Sequence, residues 1–230
     1  MTGDASALQL VLTGDPALFA IVRLSLVVSL SAVILAAIIG IPLGAALALT
    51  RFPGREGAIV VLNAMMGLPP VVVGLAIFLL LSRSGPLGPF GLLFTPQAMV
   101  IAQMVLVIPI IAALTRQTIE DLWVEYREEL AAMNIGATGR VATLVWDARF
   151  SLVTALLAGF GRAAAEVGAI IVVGGNMEGF TRTMTTAIAL ETSKGDLPLA
   201  IGLGIVLICI VIAINALAWG ARRAGERYAG

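Results

Sequence analysis

QAMVIAQMVLVIPIIAAL, residues 97–114, runs directly into TRQTIEDLWVEYREELAAMNIGATGRVATLVWDAR, residues 115–149. The first stretch carries no charge and nearly matches the ~20 residues a helix needs to cross the ~30 Å hydrocarbon core of a bilayer. The second is the longest polar interruption in the chain. A membrane span opening into a polar segment therefore sets the frame. Further apolar runs at 17–49, 58–81, 150–174 and 197–219 bring the candidate spans to five. The fold this predicts is all-α, a single polytopic transmembrane domain over residues 1–230. Ala5–Leu12 would form a short interfacial helix, broken from the first span at Gly14-Asp15-Pro16.

Composition points the same way. The 230 residues are 60% hydrophobic and only 12% charged, with a mean hydropathy of +1.05. A soluble domain carries about 25% charged residues. Fourteen basic and fourteen acidic residues balance, which argues against a nucleic-acid binder, since that needs a basic surface. Histidine is absent, removing the commonest general base and metal ligand. The one cysteine, Cys209, lies in an apolar run and reads as a small packed hydrophobe. Residues 1–16 hold no Lys or Arg, so they do not read as a cleavable signal peptide.

Basic residues set the orientation. Arg51, Arg55, Arg116, Arg127, Arg140, Arg149, Arg222, Arg223 and Arg227 fall in one set of connections, and only Arg83, Arg182 and Lys194 in the other. The richer side should be cytoplasmic, with the N-terminus outside and the C-terminus inside. The first run is too long for one perpendicular crossing, so it must tilt, protrude, or break near Gly40, Pro42 and Gly44. Pro69-Pro70 opens the second span, where a helix tolerates proline best. Pro109 favours a kink in the third. Ser82–Pro96 and 175–196 read as outer loops. Gln103, Thr115 and Asn215 read as interhelical polar contacts.

Within 115–149, Arg116 to Glu120 and Glu125 to Glu129 have helical spacing, and no Gly or Pro occurs before Gly136. A helix should extend the third span and end at Gly136 in a left-handed cap. Thr138 would cap a second short helix, Gly139–Trp146. By pattern alone this is either a solvated connection or a bent element that seats on a partner.

Glu129-Leu130-Ala131-Ala132-Met133-Asn134-Ile135-Gly136-Ala137 resembles the E-x-A-A-x-x-x-G-A motif of ABC importer permeases. The resemblance implies that 115–149 forms coupling helices docking on a separate ATP-binding subunit. Glu129, Ala131, Ala132, Gly136, Ala137 and Thr138 would carry the contact, with Gly136 as its bend. The family's Leu-Pro about ten residues further on is replaced by Trp146-Asp147-Ala148-Arg149, which leaves the end of the element open. Arg51-Phe52-Pro53-Gly54 is similar to the family's first cytoplasmic turn. Gly67-Leu68-Pro69-Pro70-Val71-Val72-Val73-Gly74 is similar to molybdate- and sulfate-type permeases. Gly161-Arg162-Ala163-Ala164-Ala165-Glu166-Val167-Gly168, Gly174-Gly175-Asn176 and Thr181–Thr192 look most like tungstate permeases.

The resemblance implies a homodimer with ATP-binding subunits and an extracytoplasmic anion-binding protein, in a bacterial or archaeal cytoplasmic membrane. No G-x-x-x-x-G-K-[ST] occurs, so ATP-Mg belongs on the partner and no cofactor is expected here. Arg162 is charged at mid-span, a placement that costs ~2.5–3.5 kcal/mol unless it faces protein or water. Glu166, four residues on, would share its helical face. The pair is either a structural lock or part of an anion path, with Asn176 and Arg182 as further candidates. Arg23 should snorkel to the interface. Two rival classes are a membrane-embedded enzyme using Glu166 with Glu191 or Asp196, and a structural scaffold. The absence of His and of a nucleophile–base constellation weighs against an enzyme.

Overall fold

The computed structural model describes residues 16–229. These residues form nine α-helices, one 3₁₀ turn and no strands. The Ala5–Leu12 helix and most of the break before Pro16 lie outside the described residues. The long helices are α1 (Pro16–Leu49), α4 (Pro96–Ala132) and α9 (Leu197–Ala229), each long and apolar enough to cross a membrane. Two bent pairs raise the number of candidate spans to five if each counts as one.

The α1–α4 pair is the most extensive contact in the fold. Of the three alternatives for α1, a break does not occur: the helix runs through Pro42 to Leu49. Its glycines serve close approach instead. A Cβ on Gly44 would stand 2.4 Å from the Ala112 carbonyl oxygen and 2.8 Å from Thr115 Cβ. Val28, Val33, Ala36 and Ala45 of α1 are buried, most of them against the buried Leu106, Val107, Ile111 and Ile119 of α4. The helix α4 continues through Pro109 and past the end of the third apolar run without interruption. Thr95 caps its start, accepting from the Ala98 N–H.

The second span is not one helix. α2 (Arg55–Met66) ends at Gly67, and α3 (Pro70–Leu81) turns away by 100°. Consecutive prolines supply no N–H to continue the α2 ladder, and Pro70 at the first helical position restarts it. The fourth span is also broken. α6 (Arg149–Ala164) stops, three residues intervene, and α7 covers only Gly168–Gly174. α7 lies flush on α3, where a Cβ on Gly74 would meet Ala169 Cα at 2.8 Å. Ser82–Pro96 holds only the 3₁₀ turn Gly88–Phe90.

The stretch 175–196, expected as a loop, contains α8 (Met184–Lys194). Its polar run hid a helix because the threonines are satisfied internally. Thr183 and Thr186 form a reciprocal capping box, and Thr181, Thr183, Thr185 and Thr186 are all buried.

The polar segment after the third apolar run does extend α4, but the helix ends at Ala132. Asn134, at φ 51°, takes the left-handed position. Its N–H donates to the Ala131 carbonyl and the Ile135 N–H to that of Leu130, a Schellman closure. Asparagine tolerates this region better than other non-glycine residues. Gly136, at φ −66° and ψ 167°, is therefore not the left-handed cap; it is extended backbone before α5 (Ala137–Asp147). Thr138 lies inside α5 rather than capping it. Ala148 alone joins α5 to α6, with a 70° bend between them. Asn134→Val should lower the melting midpoint, since a β-branched residue there costs about 1–3 kcal/mol. Gly136→Ala should not, because a Cβ there meets nothing within 4 Å.

Candidate functional site

Arg162 sits in the last turn of α6, and Glu166 in the break before α7. Glu166 therefore does not share a helical face with Arg162; the chain turns and brings the carboxylate back to it. Arg162 Nη1 donates to Glu166 Oε2 at 2.5 Å. The other oxygen accepts from the Ala169 N–H at 2.9 Å, so Glu166 also closes the start of α7. Glu166 is 2% exposed, while the Arg162 side chain is 27% exposed. Among the described residues no second hydrogen bond or ion pair engages Arg162. One of its five N–H donors is used, and the side chain keeps one partly exposed side.

That exposed side continues along a face of α6. Ser151, Thr154, Ala158, Arg162 and Ala165 recur at three- and four-residue steps, and all are exposed or half-exposed. They are small or polar. The exposed faces of α1 and α9 instead carry large aliphatics, Ile34 and Ile38 on one and Ile201, Ile205, Ile208 and Ile212 on the other. Lipid suits the second kind of face and penalises the first. At the end nearer α5, the α6 face meets α4 in a cleft of about 270 Å³ lined by Gln117, Thr118, Asp121, Ser151 and Thr154. Thr154 and Arg162 lie two helical turns apart, about 12 Å.

A buried polar cluster backs the Arg162 junction. Gln103 Nε2 of α4 donates to the Ala163 carbonyl at 2.8 Å. Thr185 Oγ1 of α8 donates to the Glu166 carbonyl at 2.8 Å. Ser25 Oγ of α1 accepts from the Met184 N–H at 2.8 Å. Four separate elements are thus pinned around one residue pair. A hollow of about 10 Å³ among Ser25, Ser29, Gln103, Thr183 and Thr185 is large enough for about one water. Asn215, in contrast, makes no interhelical bond among the described residues; its Nδ2 donates to the Val211 carbonyl of its own helix.

Asn176 and Arg182 do not join Arg162. Asn176, at φ 48°, follows Gly175 in the turn after α7 and donates to the Thr186 carbonyl. Arg182 pairs with Glu178 at 3.4 Å and lines a separate cleft with Arg23. The acids of the enzyme reading are also separately engaged. Glu191 accepts from Lys194 Nζ at 2.9 Å, and Asp196 accepts from the Leu199 N–H at 3.2 Å.

At the end of the bundle remote from Arg23, Glu129, Ala131, Ala132, Gly136, Ala137 and Thr138 are all exposed. So are Val124, Met133 and Trp146. The residues between them point inward: Leu130 and Leu144 pack with Ala45, Ile119, Ala148 and Leu152. The exposed element is therefore seated on α1, α4 and α6 together. Arg55 and Arg116 both hold Glu120, and Arg55 Nε also donates to the Leu47 carbonyl. This ties α1, α2 and α4 at the same end. Acidic residues dominate the tip: Glu125 first, then burial, Asp147 and Glu129, raise the Tyr126 phenol above its ordinary value near 10.

Sequence reasoning missed the polar lining of the α6 face and the threonine cluster. The first was visible as helical spacing among Ser151, Thr154, Ala158 and Arg162. The second was masked because Thr181–Thr186 reads as a loop.

No protein-family model matches the chain. A probable anion ABC transporter permease protein of Haloferax volcanii is 42% identical over 210 residues, covering 89% of this chain and 90% of the relative. The tungstate uptake system permease protein TupB of Peptoclostridium acidaminophilum is 39% identical, covering 94% of each. The molybdenum transport system permease protein ModB of Azotobacter vinelandii is 30% identical, covering 74% of this chain and 78% of the relative. With long apolar helices, an exposed element at 129–138 and relatives matched over nearly their whole length, the chain belongs to the ABC transporter permeases of the tungstate, molybdate and sulfate type.

Proposed function

We propose that this chain is the membrane-spanning subunit of an ABC importer that moves an oxyanion, tungstate first, into the cytoplasm. The observation that carries the transport reading is the exposed, small and polar face of α6 with Arg162 on it. A tetrahedral oxyanion would meet the free side of the guanidinium, move past Ala158 and Thr154, and leave through the Gln117–Ser151 cleft. Glu166 offsets part of the Arg162 charge, so the anion is attracted without being trapped. Asp121 in the exit cleft repels it onward. Asn176 turns the chain toward α8, and Arg182 serves the outer cleft rather than the central path.

A separate ATP-binding subunit docks on Glu129, Ala131, Ala132, Gly136, Ala137 and Thr138. Its ATP-Mg supplies the energy, and this chain is a transport subunit rather than an enzyme. A second copy of the chain completes the path, and an extracytoplasmic binding protein delivers the anion. The Arg and Lys distribution supports an external N-terminus and a cytoplasmic C-terminus. Similarity over 94% of the chain to a permease named for tungstate supports that substrate over molybdate or sulfate.

Reconstituted with its ATP-binding subunit and binding protein, the permease should show ATP hydrolysis stimulated several-fold by tungstate. Equal stimulation by molybdate or sulfate would remove the tungstate assignment. Failure of any ATP-binding subunit to co-purify would remove the partner.

A further inference from the structure

We propose that the cleft between α1 and the turn Glu178–Arg182 binds the phosphate head group of an anionic phospholipid. The cleft measures about 470 Å³. Arg23 enters it from α1 and Arg182 from the turn, against one acid, Glu178. Glu178 is itself 83% exposed and only 3.4 Å from Arg182, a loose pair. The Arg182 Nε is buried without a hydrogen-bond partner, its side chain is 16% exposed, and Arg23 makes no ion pair among the described residues. Among the described residues the cleft therefore holds two guanidiniums against one carboxylate.

Its wall decides between the sources of such an anion. Ile21, Leu24 and Val27 make the α1 side apolar. Val27 continues along the same face of α1 to Ile34 and Ile38, at steps of seven and eleven residues, and all three are more than half exposed. A free oxyanion gains nothing from that strip. A phospholipid gains twice, with its phosphate on the guanidiniums and an acyl chain along Val27, Ile34 and Ile38. Arginine stems lie along apolar surface while the heads reach the interface. Arginines near a membrane surface attract anionic head groups.

The test uses the full chain in a mild detergent with equal phosphatidylglycerol and phosphatidylcholine, counting retained lipid by native mass spectrometry. Arg23→Gln and Arg182→Gln should each lower phosphatidylglycerol retention about fivefold. The double variant should fall to the phosphatidylcholine level, and Arg23→Lys should keep most of the preference. Unchanged melting in lipid-free detergent excludes misfolding as the cause. Retention equal to wild type in both single variants overturns the site. Displacement of phosphatidylglycerol by millimolar inorganic tungstate also overturns it, in favour of a free-oxyanion site.

Discussion

Gly44→Val should sharply lower the melting midpoint and the yield of folded protein. The added Cβ would stand 2.4 Å from the Ala112 carbonyl oxygen, 2.8 Å from Thr115 Cβ and 3.0 Å from the Arg116 nitrogen. Two of these neighbours are backbone atoms of a helix interior and cannot swing aside. Relief requires α1 to move off α4 along the largest contact in the fold. Overpacking ordinarily costs about 1–3 kcal/mol, and a backbone obstacle places this case at or above the upper end. Marginal stabilities of about 5–15 kcal/mol leave little room for that loss. Gly57→Val is the matched control, because a Cβ there meets nothing within 4 Å. Size-exclusion profiles and melting in detergent read the difference. Equal yield of the two variants would show that α1 and α4 do not pack as closely as described.

The second large effect is at Arg162, and it needs a paired substitution. Arg162→Ala alone leaves the Glu166 carboxylate buried with only the Ala169 N–H. Removing one partner of a buried pair costs about 3–5 kcal/mol, so lost uptake could reflect lost protein. Arg162→Gln with Glu166→Gln removes both charges together. The new amide oxygen can still accept from Ala169, and the fold should survive. Uptake should fall roughly ten- to a hundredfold, the equivalent of a lost charged hydrogen bond of about 1.5–3 kcal/mol. Arg162→Lys with Glu166 intact should recover much of it. Wild-type uptake by the double variant would make the pair a structural lock. Vesicle uptake normalised to folded permease separates the outcomes.

Hydropathy made the membrane fold legible, and the spacing of Arg116, Glu120, Glu125 and Glu129 made the extension of α4 legible. Both signals are carried by many residues at once. The breaks at Gly67–Pro69 and Ala165–Val167 were harder, since hydropathy does not register direction. Pro69-Pro70 marked the first break locally. Nothing comparable marks the second, where Ala164, Ala165 and Val167 are ordinary helix residues. Tertiary contacts decide there, with Glu166 drawn to Arg162 and to Ala169. The Arg162–Glu166 pair was legible from spacing, but for a partly wrong reason: the two meet across a turn, not along a helix. Gly136 looked like the bend because glycine is the usual left-handed residue, whereas Asn134 holds that position.

The uninterrupted course of α4 has a mechanical consequence. Thirty-seven residues at 1.5 Å each make a helix of about 55 Å, reaching from the Thr95 cap to the exposed tip at Met133. On the proposed function, a push delivered at that tip travels along one unbroken helix. Two of the joints in the chain lie side by side: Val71, just past the one at Gly67–Pro69, stands against Gly168, just past the one at Ala165–Val167. Gln103 is the linkage, gripping the Ala163 carbonyl one residue from Arg162. On the proposed function, a displacement of the tip would reach the setting of the Arg162 guanidinium through Gln103, so that a push taken in at one end would alter the hold on the anion halfway along.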